Sequence, residues 1–154
     1  MSVLAIILLV LGALLLVLCL IGWSMTSRWK LEERIMIRAA REPLYDYLNE
    51  LTNWEEWTIW NKQDNPNFIF HYRGPKEGKG AQQCWKNKGH YGTTKICGCQ
   101  RPACIEYMIA FGGAKSHMTG TLQLLPRGTS TEVVWSISGD AGVNPFKRIF
   151  VRLM

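Results

Sequence analysis

Three histidines, His71, His90 and His117, and one glutamate set in an apolar run, Glu106, are the side chains here best suited to moving a proton. Histidine changes charge near neutral pH. As a general base it needs a partner acid or nucleophile within about 3 Å. The three are far apart in sequence, so only the fold can supply that partner. His90 lies between Gly89 and Tyr91 in an expected turn, which reads as solvated. His71 and His117 fall on expected strands and can point inward. If Glu106 faces a cavity, desolvation raises its pKa and makes it a polar anchor or an acid. If it faces water, it is an ordinary surface charge.

The cysteines invite a metal reading. Zinc takes four ligands, commonly from paired Cys-x-x-Cys units. Cys97-Gly98-Cys99 is spaced to put both thiols on one face of a strand, with Cys99 and Cys104 placed to meet across the next turn and Cys84 or a histidine as a fourth ligand. The same thiols also pack as small apolar strand side chains, and that reading, without metal, is preferred. Five cysteines without regular spacing, Cys19 included, make a poor disulfide framework and suit a reducing compartment. The loop Gly74–Gly80 lacks the Gly-Lys-Ser/Thr ending of a phosphate loop, which excludes nucleotide binding. No catalytic constellation, metal site or cofactor site emerges from spacing alone.

Aromatic residues outnumber these groups. Trp54, Trp57 and Trp60 are three apart and share one side if helical, as an aromatic rim, a membrane-facing wedge or core. Trp57 reads as core, while rim and core stay open for the other two. Trp85, Tyr107, Phe111 and Trp135 fall on strands, one face of which must point inward, either lining a pocket or filling it. With Trp57, Trp60, His71, Glu106 and His117 they form the candidate cavity set.

The elements that position these residues follow from periodicity. Val3 to Trp23 is free of charge and mostly Leu, Ile and Val. At about 1.5 Å per residue it makes a helix of about 31 Å, the thickness of a bilayer's hydrocarbon core. A cleaved signal peptide is the weaker reading, because no Lys or Arg precedes the run and the run is too long; a buried core helix of this composition is rare. Residues 1–25 are read as one transmembrane anchor and 26–154 as one domain. Arg28, Lys30, Arg34, Arg38 and Arg41 follow the anchor and none precedes it, which predicts a single-pass protein of the cell membrane with its domain on the cytoplasmic side.

Beyond the anchor, Leu31, Glu33, Ile35 and Ile37 alternate with Glu32, Arg34, Met36 and Arg38, predicting a strand with one buried face. Pro43 opens a helix with Leu44, Tyr47, Leu48 and Leu51 at helical spacing, and Asn53 is placed to cap a second short one. Six further strands joined by short turns, Phe68–Tyr72, Ala81–Lys86, Thr93–Cys99, Cys104–Phe111, His117–Leu125 and Glu132–Ser138, predict an antiparallel meander. Asn144–Met154 begins a last helix with an apolar stripe of Phe146, Ile149, Phe150 and Leu153.

The formal charge is +6, and Arg73 to Arg101 alone holds seven basic residues against one acid, Glu77. Arg73, Lys76, Lys79, Lys86 and Lys88 are candidates for contact with anionic headgroups, at about 1 kcal/mol per basic residue near such a surface. A solvated face of turns and edges is the equal alternative. Nucleic acid is disfavoured, because no binding motif accompanies the charge.

This order of elements, together with Ile37-Arg38-Ala39 before Leu44, Tyr45 and Tyr47, the series Trp54, Trp57, Trp60 before Asp64-Asn65-Pro66, Gly74 with Gly78 and Gly80, Cys84-Trp85-Lys86-Asn87 before Gly92, and Gly128-Thr129 before Val134-Trp135 and Gly139-Asp140, resembles the START-like superfamily. That superfamily is also called SRPBCC or polyketide cyclase/dehydrase-like, and the chain is most similar to bacterial members with one N-terminal transmembrane helix. The resemblance implies an α+β helix-grip fold, in which a curved antiparallel sheet wraps a C-terminal helix around an apolar cavity for a hydrophobic small molecule or lipid. Only some members are enzymes. The family's C-terminal helix is much longer than the segment here, so the expectation is an incomplete helix or a half-open cavity, with a homo-oligomer covering the sheet if the helix is short. The expected function is binding of a hydrophobic ligand from the adjacent membrane. A cyclase or hydratase using His71, His117 or Glu106, and a non-binding interaction module, are the alternatives.

Overall fold

Leu31 to Ile37 alternates a mainly apolar face with a mainly charged one, which predicts a strand with one buried face. In the computed structural model, which describes residues 2–112 and 116–153, this segment forms β1 (Arg28–Ile37). Leu31, Glu33 and Ile35 on that face are nevertheless exposed and Ile37 only half-buried, because the face borders a cavity instead of a packed core. The chain then enters α2 (Arg41–Asn49), after α1 (Val3–Ser24) at the N-terminal end. Pro43 sits in the first turn of α2, where a missing N–H costs nothing. A 3-10 turn (Leu51–Asn53) leads into α3 (Trp54–Trp57). Asn53 precedes α3 but does not cap it; its Nδ2 donates to the Tyr47 carbonyl at 2.9 Å, tying α3 back to α2.

The remaining strands are β2 (Ile69–Arg73), β3 (Gln82–Asn87), β4 (His90–Gln100), β5 (Cys104–Phe111), β6 (Ser116–Arg127) and β7 (Ser130–Asp140), followed by α4 (Pro145–Leu153). The seven form one curved antiparallel sheet in the order β1-β7-β6-β5-β4-β3-β2. This is the expected meander, with the first strand returning beside the last. Its fold class is α+β. Contacts divide the chain into one unit of Lys30–Ser138 and another of Met1–Trp29 with Gly139–Met154.

In the first unit, β3 and β4 join through a two-residue turn. Asn87 pairs with His90, and Lys88 and Gly89 both have positive φ, the hairpin geometry that matches strand twist. His90 therefore opens β4 instead of lying in the turn. Register shifts between Ile96 and Gly98, leaving Cys97 as an exposed bulge. Cys99 then pairs with Ile105 on the buried face, whereas Cys104 pairs with Gln100 on the other. The bulge and this register undo the expected arrangement of Cys97 with Cys99 on one face and Cys99 meeting Cys104. The Cys99 thiol is directed to Asn49 Oδ1 at 3.2 Å.

The core of this unit lies between the sheet and α2–α3. Tyr45, Leu48, Leu51 and Trp54 press onto Ile96, Ile105, Tyr107, Leu122 and Leu124, all buried. The β4–β5 turn is fastened to α2 by Arg101, whose Nε and Nη2 each reach Asp46 at 2.9 Å.

In the second unit, α1 has 22 residues, about 33 Å of helix, and is apolar and long enough to cross a membrane. Its C-terminal carbonyls are held by α4. Arg148 Nη1 donates to Trp23 O at 3.3 Å and Met25 O at 3.1 Å, and the Trp23 indole donates to Val143 O at 3.2 Å.

Gly92 is a tight point of the sheet. A Cβ there overlaps the Trp85 ring and comes within 2.8 Å of the Ala110 carbonyl, which belongs to the neighbouring strand and cannot yield cheaply. Gly92→Ala is expected to lower stability by about 1–3 kcal/mol, measured as a lower urea midpoint with an unchanged slope.

Candidate functional site

Burial at the β1 side of the first unit is incomplete, and it leaves a cavity of about 590 Å³. Small-molecule sites span about 300–1,000 Å³. The edge of the sheet and the helices that cover it build this cavity. Glu33, Ile35 and Ile37 come from β1, in the alternation noted in the sequence, with Arg34 bordering them. Leu44, Tyr47 and Leu48 come from α2 at helical spacing, and Trp57 from α3. Leu122 of β6 with Val133 and Trp135 of β7 form the floor.

Beside that floor stands Tyr107, only 3% exposed, on the middle strand. The Trp135 indole donates to its hydroxyl, and Trp54 packs edge-on against its ring at 5.0 Å. Burial raises the Tyr107 pKa, so it stays neutral. Tyr47 donates to Glu56 Oε2 at 2.7 Å; burial, reinforced by that carboxylate, pushes its pKa up to about 12. Arg34 is held by Glu32 Oε1 at 2.7 Å and Glu132 Oε1 at 3.5 Å.

The tryptophan series divides differently from expectation. Trp54 is the core residue, 2% exposed, whereas Trp57 is 42% exposed and lines the cavity. The helix ends after Trp57, so Trp60 follows no helical face. It stacks on Trp85 at 5.7 Å, and both meet Phe111. This second cluster borders a smaller hollow of about 280 Å³ lined by Trp85, Gly89, His90, Tyr91, Phe111 and Gly112. The buried Trp85 indole N–H has no acceptor among the described residues.

His71, Glu106 and His117 are not in either cavity. All three are exposed. His71 pairs with Cys84, Cys84 with Thr93, Thr93 with Ala110 and Ala110 with His117, a row across five strands on the face opposite Trp85 and Ile109. Glu106 immediately precedes the buried Tyr107 and points the other way, toward Gly98. The acid–base roles considered for these three therefore lose their geometry. Arg73, Lys76, Lys79, Lys86 and Lys88 are all exposed, with Lys76 paired to Glu50 at 3.2 Å. Among the described residues no three His, Cys, Asp or Glu side chains group to hold a metal ion.

Residues 28–154 match the family described as polyketide cyclase / dehydrase and lipid transport. The chain belongs to this family. Solved structures share the fold of this family member. Norcoclaurine synthase of Thalictrum flavum, a point mutant in complex with a transition state analogue, has a TM-score of 0.60 at 13% identity over 84% of each chain. A protein of Rhodobacter sphaeroides has 0.56 at 21% identity, covering 81% of this chain and 80% of that one. Major latex-like protein 151 of Panax ginseng has 0.54 at 12% identity, covering 82% and 91%. At these identities the likeness is one of fold. No curated protein matches the chain.

Because α2 forms one wall of the cavity, its tie to the β4–β5 turn has a measurable pH signature. Arg101 holds the Asp46 carboxyl below its ordinary 3.8. A carboxyl whose pKa is lowered on folding adds stability above its unfolded value and loses it as pH falls through the folded one. Asp46→Asn should melt slightly below the native protein at pH 7, with the gap in Tm narrowing once the pH drops below 3.8. Added salt should shrink the gap at pH 7, since both side chains are exposed.

Proposed function

We propose that this protein is a membrane-anchored binding domain that takes a hydrophobic small molecule or lipid into the cavity between β1, α2 and the floor of β6 and β7. The cavity is the observation that carries this reading. Its walls are almost wholly aliphatic and aromatic, and each ligand methylene buried there contributes about 0.8 kcal/mol. Membership of a family described by lipid transport supports it, as does the mouth's position on an edge strand instead of deep in the sheet.

Residues 1–25 serve as the single-pass anchor and 26–154 as the ligand-binding domain, held on the cytoplasmic face by the excess of Arg and Lys after the anchor. Tethering raises the local concentration of the cavity at the bilayer from which the ligand comes. The exposed Arg73, Lys76, Lys79, Lys86 and Lys88 then meet anionic headgroups.

Native mass spectrometry of the full chain, extracted from its own membranes, tests the binding. A retained adduct of lipid or small-molecule mass is expected, and repeated failure to find one, with no stabilisation by any lipid class, overturns the reading. Ile35→Trp, at a position 61% exposed, fills the cavity without disturbing the core. It should weaken ligand binding at least about tenfold, roughly 1.4 kcal/mol, with little change in Tm. Carbonate washing at alkaline pH should leave the chain in the membrane pellet, and release into the supernatant would sink the anchor.

A further inference from the structure

The charged groups around the large cavity are not equivalent, and their inequality points to the kind of ligand. Arg34 borders it, but its guanidinium lies between Glu32 and Glu132, and Glu132 is also held by Arg127 at 2.7 Å. The carboxylates on the covering helices are likewise engaged: Glu56 with Tyr47, Glu55 with Tyr72, and Asp46 with Arg101. Glu33 differs. It lines the cavity from the inward-facing side of β1, is exposed at the mouth, and has neither an ion-pair nor a hydrogen-bond partner among the described residues.

Around Glu33 the wall is aromatic. Tyr47, Trp57 and Trp135 line the same cavity. Ring faces attract a cation through their quadrupole, most strongly where water is partly excluded. A carboxylate with no cation of its own, beside three aromatic rings and an aliphatic floor, is a site for a positive head on an apolar body. An anionic head, as on a fatty acid, meets an uncompensated Glu33 there and is repelled.

We propose that the cavity selects ligands carrying an ammonium group, with Glu33 and the rings of Tyr47, Trp57 and Trp135 receiving the cation and Ile35, Ile37, Leu122 and Val133 receiving the apolar body. The inference rests on the binding function proposed above and specifies its ligand class. The ammonium comes either from a free apolar amine or from the headgroup of an ethanolamine-bearing lipid.

The test compares ligands of one chain length on the full-length protein. Decylamine, decanol and decanoate, each below its micelle concentration, are titrated while tryptophan fluorescence is followed. Decylamine is expected to bind about tenfold tighter than decanol, with decanoate weakest. Glu33→Gln should bring the amine to within about twofold of the alcohol, whereas Glu106→Gln, on the opposite face, should preserve the preference. Equal binding of all three, a preference for decanoate, or an amine preference that survives Glu33→Gln overturns the ammonium inference while leaving hydrophobic binding intact. Failure of all three to bind overturns the cavity's function and this inference with it. Vesicles of phosphatidylethanolamine or phosphatidylglycerol separate the sources. Extraction of the ethanolamine lipid alone assigns a bilayer headgroup, binding of decylamine without any extraction assigns a free amine, and preferential extraction of the glycerol lipid overturns the proposal.

Discussion

The hydroxyl of Tyr107 sits near the centre of a seven-stranded sheet and is almost wholly cut off from water. A buried hydroxyl without a partner costs about 1–3 kcal/mol. The Trp135 indole meets this demand, and in doing so holds in place a side chain that lines the large cavity. Trp54 closes on the same ring from above, which sets how far α3 stands off the sheet. One buried hydroxyl thus ties β5 to β7 across the intervening β6 and brings α3 onto the same ring through Trp54.

Seen from that centre, the large cavity is what remains when rigid parts cannot all touch. Tyr45, Leu48, Leu51 and Trp54 commit one side of the covering helices to the middle strands. The other side, with Leu44, Tyr47 and Trp57, is left facing β1 across open space. On the far half of the sheet Trp60 stacks on Trp85, with Phe68 and Phe111 edge-on to it beside the smaller hollow, so the two ends of one concave face differ in kind: one is crowded with rings, the other open.

Much of this was legible in the sequence. Alternation and glycine punctuation placed every strand, because a half-buried strand must repeat every two residues. The same rule separates Glu106 from Tyr107, which as neighbours on one strand cannot both enter a cavity, and it sends His71 and His117 to the outer face once the register is known. The bulge at Cys97 has no such signature, and it reverses the faces that spacing alone assigns to the cysteines. The true lining was half visible. Glu33, Ile35 and Ile37 were on one recognised face, and Leu44, Tyr47 and Leu48 on another; that those two faces oppose each other is a fact of topology, set by β1 returning beside β7.

The outer side of β1 carries Lys30, Glu32 and Arg34, with Arg34 reaching across to Glu132 and Arg127 joining the same carboxylate. As an edge strand, β1 offers unpaired backbone groups that another sheet can extend. A continuous band of alternating charge makes such extension electrostatically unrewarding and keeps water on the edge. Between copies of this chain that band works as insulation. It lets neighbours collide without zipping into fibrils, while the mouth of the cavity stays on an edge that remains accessible.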